Sequence, residues 1–258
     1  MILSRRVSLG GVQLDEIHES VVIQSMDPGV AHENVSAVNR MGGAGQRMTG
    51  QHWETLEAKV NYAIDIAKEN ITDRRAVFDA VNAWAKKKGW LRMNSMPGRM
   101  MYVDKVVLPS AGDLRKWMEE FPLTFRAYNV PFWQDETATQ VTGNTAAGGT
   151  VVLDVPGMER TVLDAVFQNQ SGKEVTRLTV TAGNYAITLT GLNLSGNGRL
   201  EISHGTDGLL QIKADGTSVY SKYTGADDLY ADPGSVNVSW TADRAGILTV
   251  SCRGRYAE

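Results

Sequence analysis

The 258-residue chain has a single cysteine, Cys252. No internal disulfide can form, and no zinc site can be built from paired cysteines. The fold must hold by burial and hydrogen bonds, with Cys252 read as a small apolar residue in a strand. Long apolar runs are missing: none approaches the roughly 20 residues a membrane-spanning helix needs. Met1 to Arg6 has no apolar stretch behind its arginines and does not read as a secretory signal. The Asn-x-Ser/Thr triplets at Asn193 and Asn237 are then most simply chance matches. An excess of charge of one sign is missing as well. Lys and Arg number 26 against 29 Asp and Glu, a formal charge of −3. That balance provides no global field to draw nucleic acid or an anionic membrane.

Motifs of chemistry are equally scarce. Gly42-Gly43-Ala44-Gly45 lacks the Gly-Lys-Ser/Thr ending that cradles phosphates, and Met48 stands where the third glycine of a dinucleotide fingerprint would fall. The four histidines, His18, His32, His52 and His204, are dispersed and have no partner at metal-ligand spacing. No Gly-x-Ser-x-Gly elbow occurs. The carboxylate pairs Glu119-Glu120 and Asp227-Asp228 read as solvated turn or helix-end charges. No residue is assigned a catalytic, cofactor-binding or metal-ligating role, no cofactor is expected, and the chain is not expected to be an enzyme.

What is present is pattern. Apolar content of 42% and charged content of 21% suit a soluble globular chain of one large or two ordinary domains. Val7 to Gln24 reads as a hairpin or two short strands around Gly10-Gly11. Met26 to Thr49, rich in glycine and polar residues, reads as a long connection, an arm or extended loop. From Leu56 the alternation Leu56, Ala58, Val60, Tyr62, Ile64, Ile66 predicts a strand with one covered face. A helix is predicted from about Thr72 to Lys88, with Thr72 or Asp73 as cap. Its apolar stripe is Val77, Phe78, Val81, Trp84 and Ala85. Lys86, Lys87 and Lys88 fall in its last turn, where the helix dipole favours them, and Gly89 stops it. Trp90 to Val107 predicts two strands around Pro97-Gly98. Ser110 to Glu120 predicts a short helix carrying Leu114, Trp117 and Met118 inward, and Leu123 to Tyr128 a further strand.

The composition shifts after Trp133. Gln140 to Thr150 reads as a Thr/Gly-rich linker. Beyond it the helical signal vanishes. Short alternating runs follow, including Leu178/Val180, Tyr185/Ile187/Leu189, Leu200/Ile202, Leu210/Ile212, Val236/Val238/Trp240 and Leu248/Val250/Cys252. Turn signals separate them, among them a tight hairpin at Asp215-Gly216. This pattern predicts a β-sandwich. Trp84, Trp117 and Trp240 are read as core. An exposed aromatic on a sandwich can also stack on a sugar, and Trp240 or Tyr230 would be that platform.

Taken in order, these elements resemble a known family. The order is an early glycine-turned strand pair, a long connection, the alternating strand, and the Asp73-Arg74 to Trp84 helix. A strand pair bearing Tyr102, a strand through Phe125-Arg126-Ala127 and then Pro131-Phe132-Trp133 follow. An all-β half ends with Pro233-Gly234 and Arg253-Gly254-Arg255-Tyr256. The series is similar to the distal tail proteins of long-tailed phages and prophages, over nearly the whole chain. Val130 stands where relatives commonly carry an acidic residue.

The resemblance implies a mainly β fold in two domains. Residues 1–139 would be a tail-tube-like β-sandwich with one packed helix, which forms a ring. Residues 140–258 would be a galectin-like β-sandwich projecting outward. It implies a structural protein of the virion, made in the bacterial host cytoplasm and placed at the tail tip or baseplate. Six copies would form a hexameric ring, a hub joining the tail tube protein to tail-tip, tail-associated or fibre proteins. DNA would only pass through the lumen, and nothing would insert in a membrane. The alternative is a carbohydrate-binding module that contacts the host cell surface.

Overall fold

A computed structural model describes residues 5–39, 46–65, 71–111 and 119–257. Ile66, the Gly42–Gly45 run and most of the helix expected at Ser110–Glu120, Trp117 included, lie outside them. The chain divides into two units, one running through Trp133 and including Ala257, the other spanning Gln134–Tyr256.

The first unit opens with β1 (Val7–Leu9) and β2 (Val12–Gln13). Gly10 and Gly11 turn between them at φ +59° and +86°, a backbone region glycine enters without a Cβ penalty. There follow β3 (Val21–Asp27), β4 (Glu33–Asn39), β5 (Gln46–Trp53), β6 (Leu56–Ile64) and α1 (Ile71–Ala85). β7 (Gly89–Met93), β8 (Arg99–Val103), β9 (Lys105–Val107) and β10 (Phe121–Ala127) complete the unit. One sheet runs β2-β1-β7-β8, a second runs β3-β6-β10-β9, and β4 pairs with β5 alone.

The alternation of β6 is what organises the second sheet. Leu56, Ala58, Val60 and Tyr62 are wholly buried, while Glu57, Lys59 and Asn61 point to the other face. The register sets Phe121 of β10 against Tyr62 and Phe125 against Ala58. The apolar stripe of α1 covers that buried face. Phe78 meets Phe121 edge-on at 5.2 Å and Trp84 meets Phe125 edge-on at 6.1 Å. Trp84 Nε1 donates to the Val12 carbonyl at 3.1 Å, so the indole is both packed and hydrogen-bonded.

The structure corrects several boundaries here. α1 starts at Ile71 and ends at Ala85, so Thr72 and Asp73 lie inside its first turn. Lys86, Lys87 and Lys88 follow the helix and are all exposed. Trp90–Val107 holds a third strand, β9. Within the Met26–Thr49 connection, β4 and the start of β5 pair as a ribbon. Its described residues show no core period: Glu33 to Ala37, and Met48, Gly50 and His52, are exposed.

β11 (Trp133–Asp135) spans the boundary, and the second unit continues with β12 (Thr139–Thr142), β13 (Ala146–Val155) and β14 (Thr161–Val162). β15 (Asp164–Asn169), β16 (Val175–Ala182), β17 (Tyr185–Leu194), β18 (Arg199–His204) and β19 (Leu210–Ala214) follow. Last come β20 (Thr217–Ser218), β21 (Tyr223–Gly225), β22 (Tyr230–Ala231), β23 (Gly234–Cys252) and β24 (Arg255–Tyr256). The main sheet runs β20-β19-β18-β15-β23-β16-β17-β21, with β12 and β13 also paired to β23. Its inward residues form one core, from Val151 and Leu153 to Val250 and Cys252. The sheet therefore closes over itself in a sandwich-like arrangement. Asp215 and Gly216 turn the β19–β20 hairpin at φ 47° and 79°, as a two-residue turn with both φ positive requires.

Two readings change. The supposed linker Gln140–Thr150 is mostly strand, in β12 and β13. Its small residues let the chain pass over Trp240, since a Cβ at Gly143 or Gly149 would stand 2.5 Å from Trp240 Cη2. The runs Val236–Trp240 and Leu248–Cys252 are one 19-residue strand, β23. Asp243 and Arg244 lie between the two runs, inside that strand. The Asp243 carboxylate accepts from Thr176 N and from Thr176 Oγ1 at 2.7 Å.

Candidate functional site

Among the described residues no group of three or more His, Cys, Asp or Glu could hold a metal ion, and no helix is long and apolar enough to cross a membrane. Burial pushes the Cys252 thiol up to about 11, with Asp135 reinforcing it, so the sulfur stays protonated and unreactive. The histidines are not all idle. His204, at the end of β18, lies between two carboxylates: Nδ1 is 2.8 Å from Asp164 and Nε2 is 2.7 Å from Asp228. Burial alone would depress its pKa, but the hydrogen bonds to Asp164 and Asp228 outweigh it and push it up to about 9. With both ring nitrogens engaged, His204 has no free lone pair for a general base. It acts as a charged clamp between β15, β18 and the segment before β22.

This corrects the reading of Asp227-Asp228. The Asp228 side chain is 7% exposed, and it also accepts from Leu229 N at 2.7 Å. No sequence signal joins Asp164, His204 and Asp228, which are spaced 40 and 24 residues apart. Trp240 is core, as read: at 4% exposure it is removed as the alternative sugar platform. Tyr230 stays half-buried, edge-on to Tyr185 at 5.2 Å. Arg160 stacks over Tyr185 at 6.0 Å and pairs with Asp232 at 2.8 Å.

The first unit carries a different feature. At the root of the β4–β5 ribbon opens a cleft of about 670 Å³, lined among others by Asp27, His32, His52, Glu54, Glu57 and Lys59. Its floor is fixed from several sides. Gly29, at φ +68°, lies so close to the Glu57 carbonyl that a Cβ would stand 2.0 Å from its oxygen. Trp133 Nε1 donates to the Pro28 carbonyl at 3.1 Å. Trp53 packs edge-on against Phe132 at 5.0 Å. Glu54 N donates to the His32 carbonyl at 2.8 Å. The two-stranded ribbon above leaves Val35 and Met48 exposed.

A mainly β chain of two units, with one helix packed on the first, shares its fold with a solved phage hub protein. The sequence matches no protein-family profile and no curated protein. Among solved structures it is similar to the crystal structure of the Dit protein (gp 19.1) of phage SPP1, a paradigm of the hub adsorption apparatus in phages that infect Gram-positive bacteria. That similarity has a TM-score of 0.66 at 13% identity and covers 96% of this chain and 98% of that one. Two structures of the phage P2 baseplate in its activated conformation, with Sr and with Ca, align at a TM-score of 0.46 and 12% identity. They cover 95% and 98% of this chain and 97% and 98% of theirs.

Proposed function

We propose that this chain is a distal tail protein, a structural hub at the tip of a phage tail. One observation carries the reading: the fold match to the SPP1 hub protein runs through both units, over 96% of this chain. A fold alone does not fix a function. The absence of a catalytic motif in the sequence and the uncovered ribbon point the same way. In this reading six copies form a ring, the first unit supplying both contact patches of a head-to-tail interface. The sandwich-like second unit faces outward. The ring joins the tail tube protein to tail-tip or fibre proteins, DNA passes through its lumen, and the protein resides in the virion. The chain catalyses nothing.

Cryo-electron microscopy of tails carrying a tagged copy tests this. The expected result is six-fold density for the chain between tube and tip. Density elsewhere in the virion, or a closed two-fold dimer through residues 134–256 with no ring, overturns it.

A further inference from the structure

We propose that the cleft at the root of the β4–β5 ribbon receives the Lys86-Lys87-Lys88 end of α1 from a neighbouring copy. This rests on the ring reading and names its two patches. The cleft has three carboxylates, Asp27, Glu54 and Glu57, against one ammonium, Lys59. Glu57 is engaged by Arg126 at 2.8 Å. Asp27 accepts only a local bond from Gly29 N at 2.9 Å. Glu54 takes a neutral amide, Asn34 Nδ2, at 3.1 Å. Lys59 faces Asp27 across the β3–β6 ladder but is not in ion-pair contact with it. Asp27 and Glu54 thus have no cationic partner among the described residues.

The complement is three residues long. Lys86, Lys87 and Lys88 are consecutive, exposed and in no ion pair among the described residues. They follow the carbonyl end of α1. One copy does not satisfy itself. α1 covers the face of β6 that holds Ala58 and Val60, while Glu57 and Lys59, in the cleft wall, alternate to the opposite face. A head-to-tail contact requires two different patches, and the cleft and the lysine run are two. Docking would also bring a surface against the ribbon, whose Val35 and Met48 lie open and whose two strands have no third neighbour among the described residues. The attraction is between exposed charges, so it steers the copies together and weakens with salt.

The test mixes ¹⁴N- and ¹⁵N-labelled full-length protein at high concentration, treats it with a carbodiimide that couples amines directly to carboxylates, and maps the products by mass spectrometry. Mixed-isotope links between Lys86, Lys87 or Lys88 and Asp27 or Glu54 are expected. In the variant Lys86→Glu/Lys87→Glu/Lys88→Glu these links should vanish and self-association weaken at least tenfold. Adding Asp27→Lys/Glu54→Lys should restore association. The changes are on the surface, and circular dichroism checks that the variants fold. Absence of those mixed links, with or without other inter-copy links, overturns the proposal. So does a lysine-reversed variant that associates like the parent. A ring that persists in tails of that variant leaves the hub reading standing and removes only these patches.

Discussion

Trp84 shows how much one side chain can join. Its ring fills the space between α1 and Phe125, and its Nε1 ties α1 to β2. Trp84→Ala should lower unfolding free energy by about 3–5 kcal/mol, the cost of removing a buried aromatic, read from chemical denaturation. Trp84 was legible because its partners recur at helical spacing. His204 was not, because Asp164 and Asp228 approach it through the sheet and not along the chain. Its charge gives a distinct signature. The pKa in the folded protein is raised to about 9, against about 6.5 unfolded. The stabilisation is then fully present below about pH 6.5 and is lost as pH rises through about 9. Thermal unfolding followed from pH 6 to 10 should show the midpoint falling across that window. The slope should flatten in His204→Gln.

At the scale of elements, β6 and α1 carry strong periods because each has one covered face, and both stand out in the sequence. β4 and β5 carry none among their described residues, where Glu33 to Ala37 are exposed on both faces of β4, so a loop and a ribbon read alike. The stretch of β12 and the start of β13 was hidden for the opposite reason. Its glycines, a linker's signature, are there because Trp240 leaves no room for a side chain. Gly149→Ala would drive a Cβ to 2.5 Å from that indole. It should cost roughly 1–3 kcal/mol, as overpacking does. Gly172→Ala, with nothing within 4 Å of its added Cβ, controls for the bare change but carries the strain of its positive φ. Denaturation midpoints of the two, measured with unchanged slopes, make the comparison.

For the whole molecule, the question is where one unit ends. The second unit begins at Gln134, and β12 with the first part of β13 adds a ladder to β23. A fragment of residues 134–256 should therefore fold alone with a dispersed NMR spectrum. One starting at 150 loses all of β12 and leaves Val250 with β15 alone as its ladder neighbour. It should melt at a lower temperature. Equal stability of the two fragments would show that β12 adds nothing. The order of elements along the chain carried the overall fold. The cleft and the His204 clamp come from contacts across sheets, which no local pattern encodes.

β23 has a mechanical consequence. It is held on both edges at Val238–Thr241, by β13 and β16, and again at Thr249–Ser251, by β12 and β15. A pull along its axis loads these ladders in shear, so many hydrogen bonds must fail together and cannot unzip one at a time. Under tension the second unit should therefore resist as one body and yield in a single rupture.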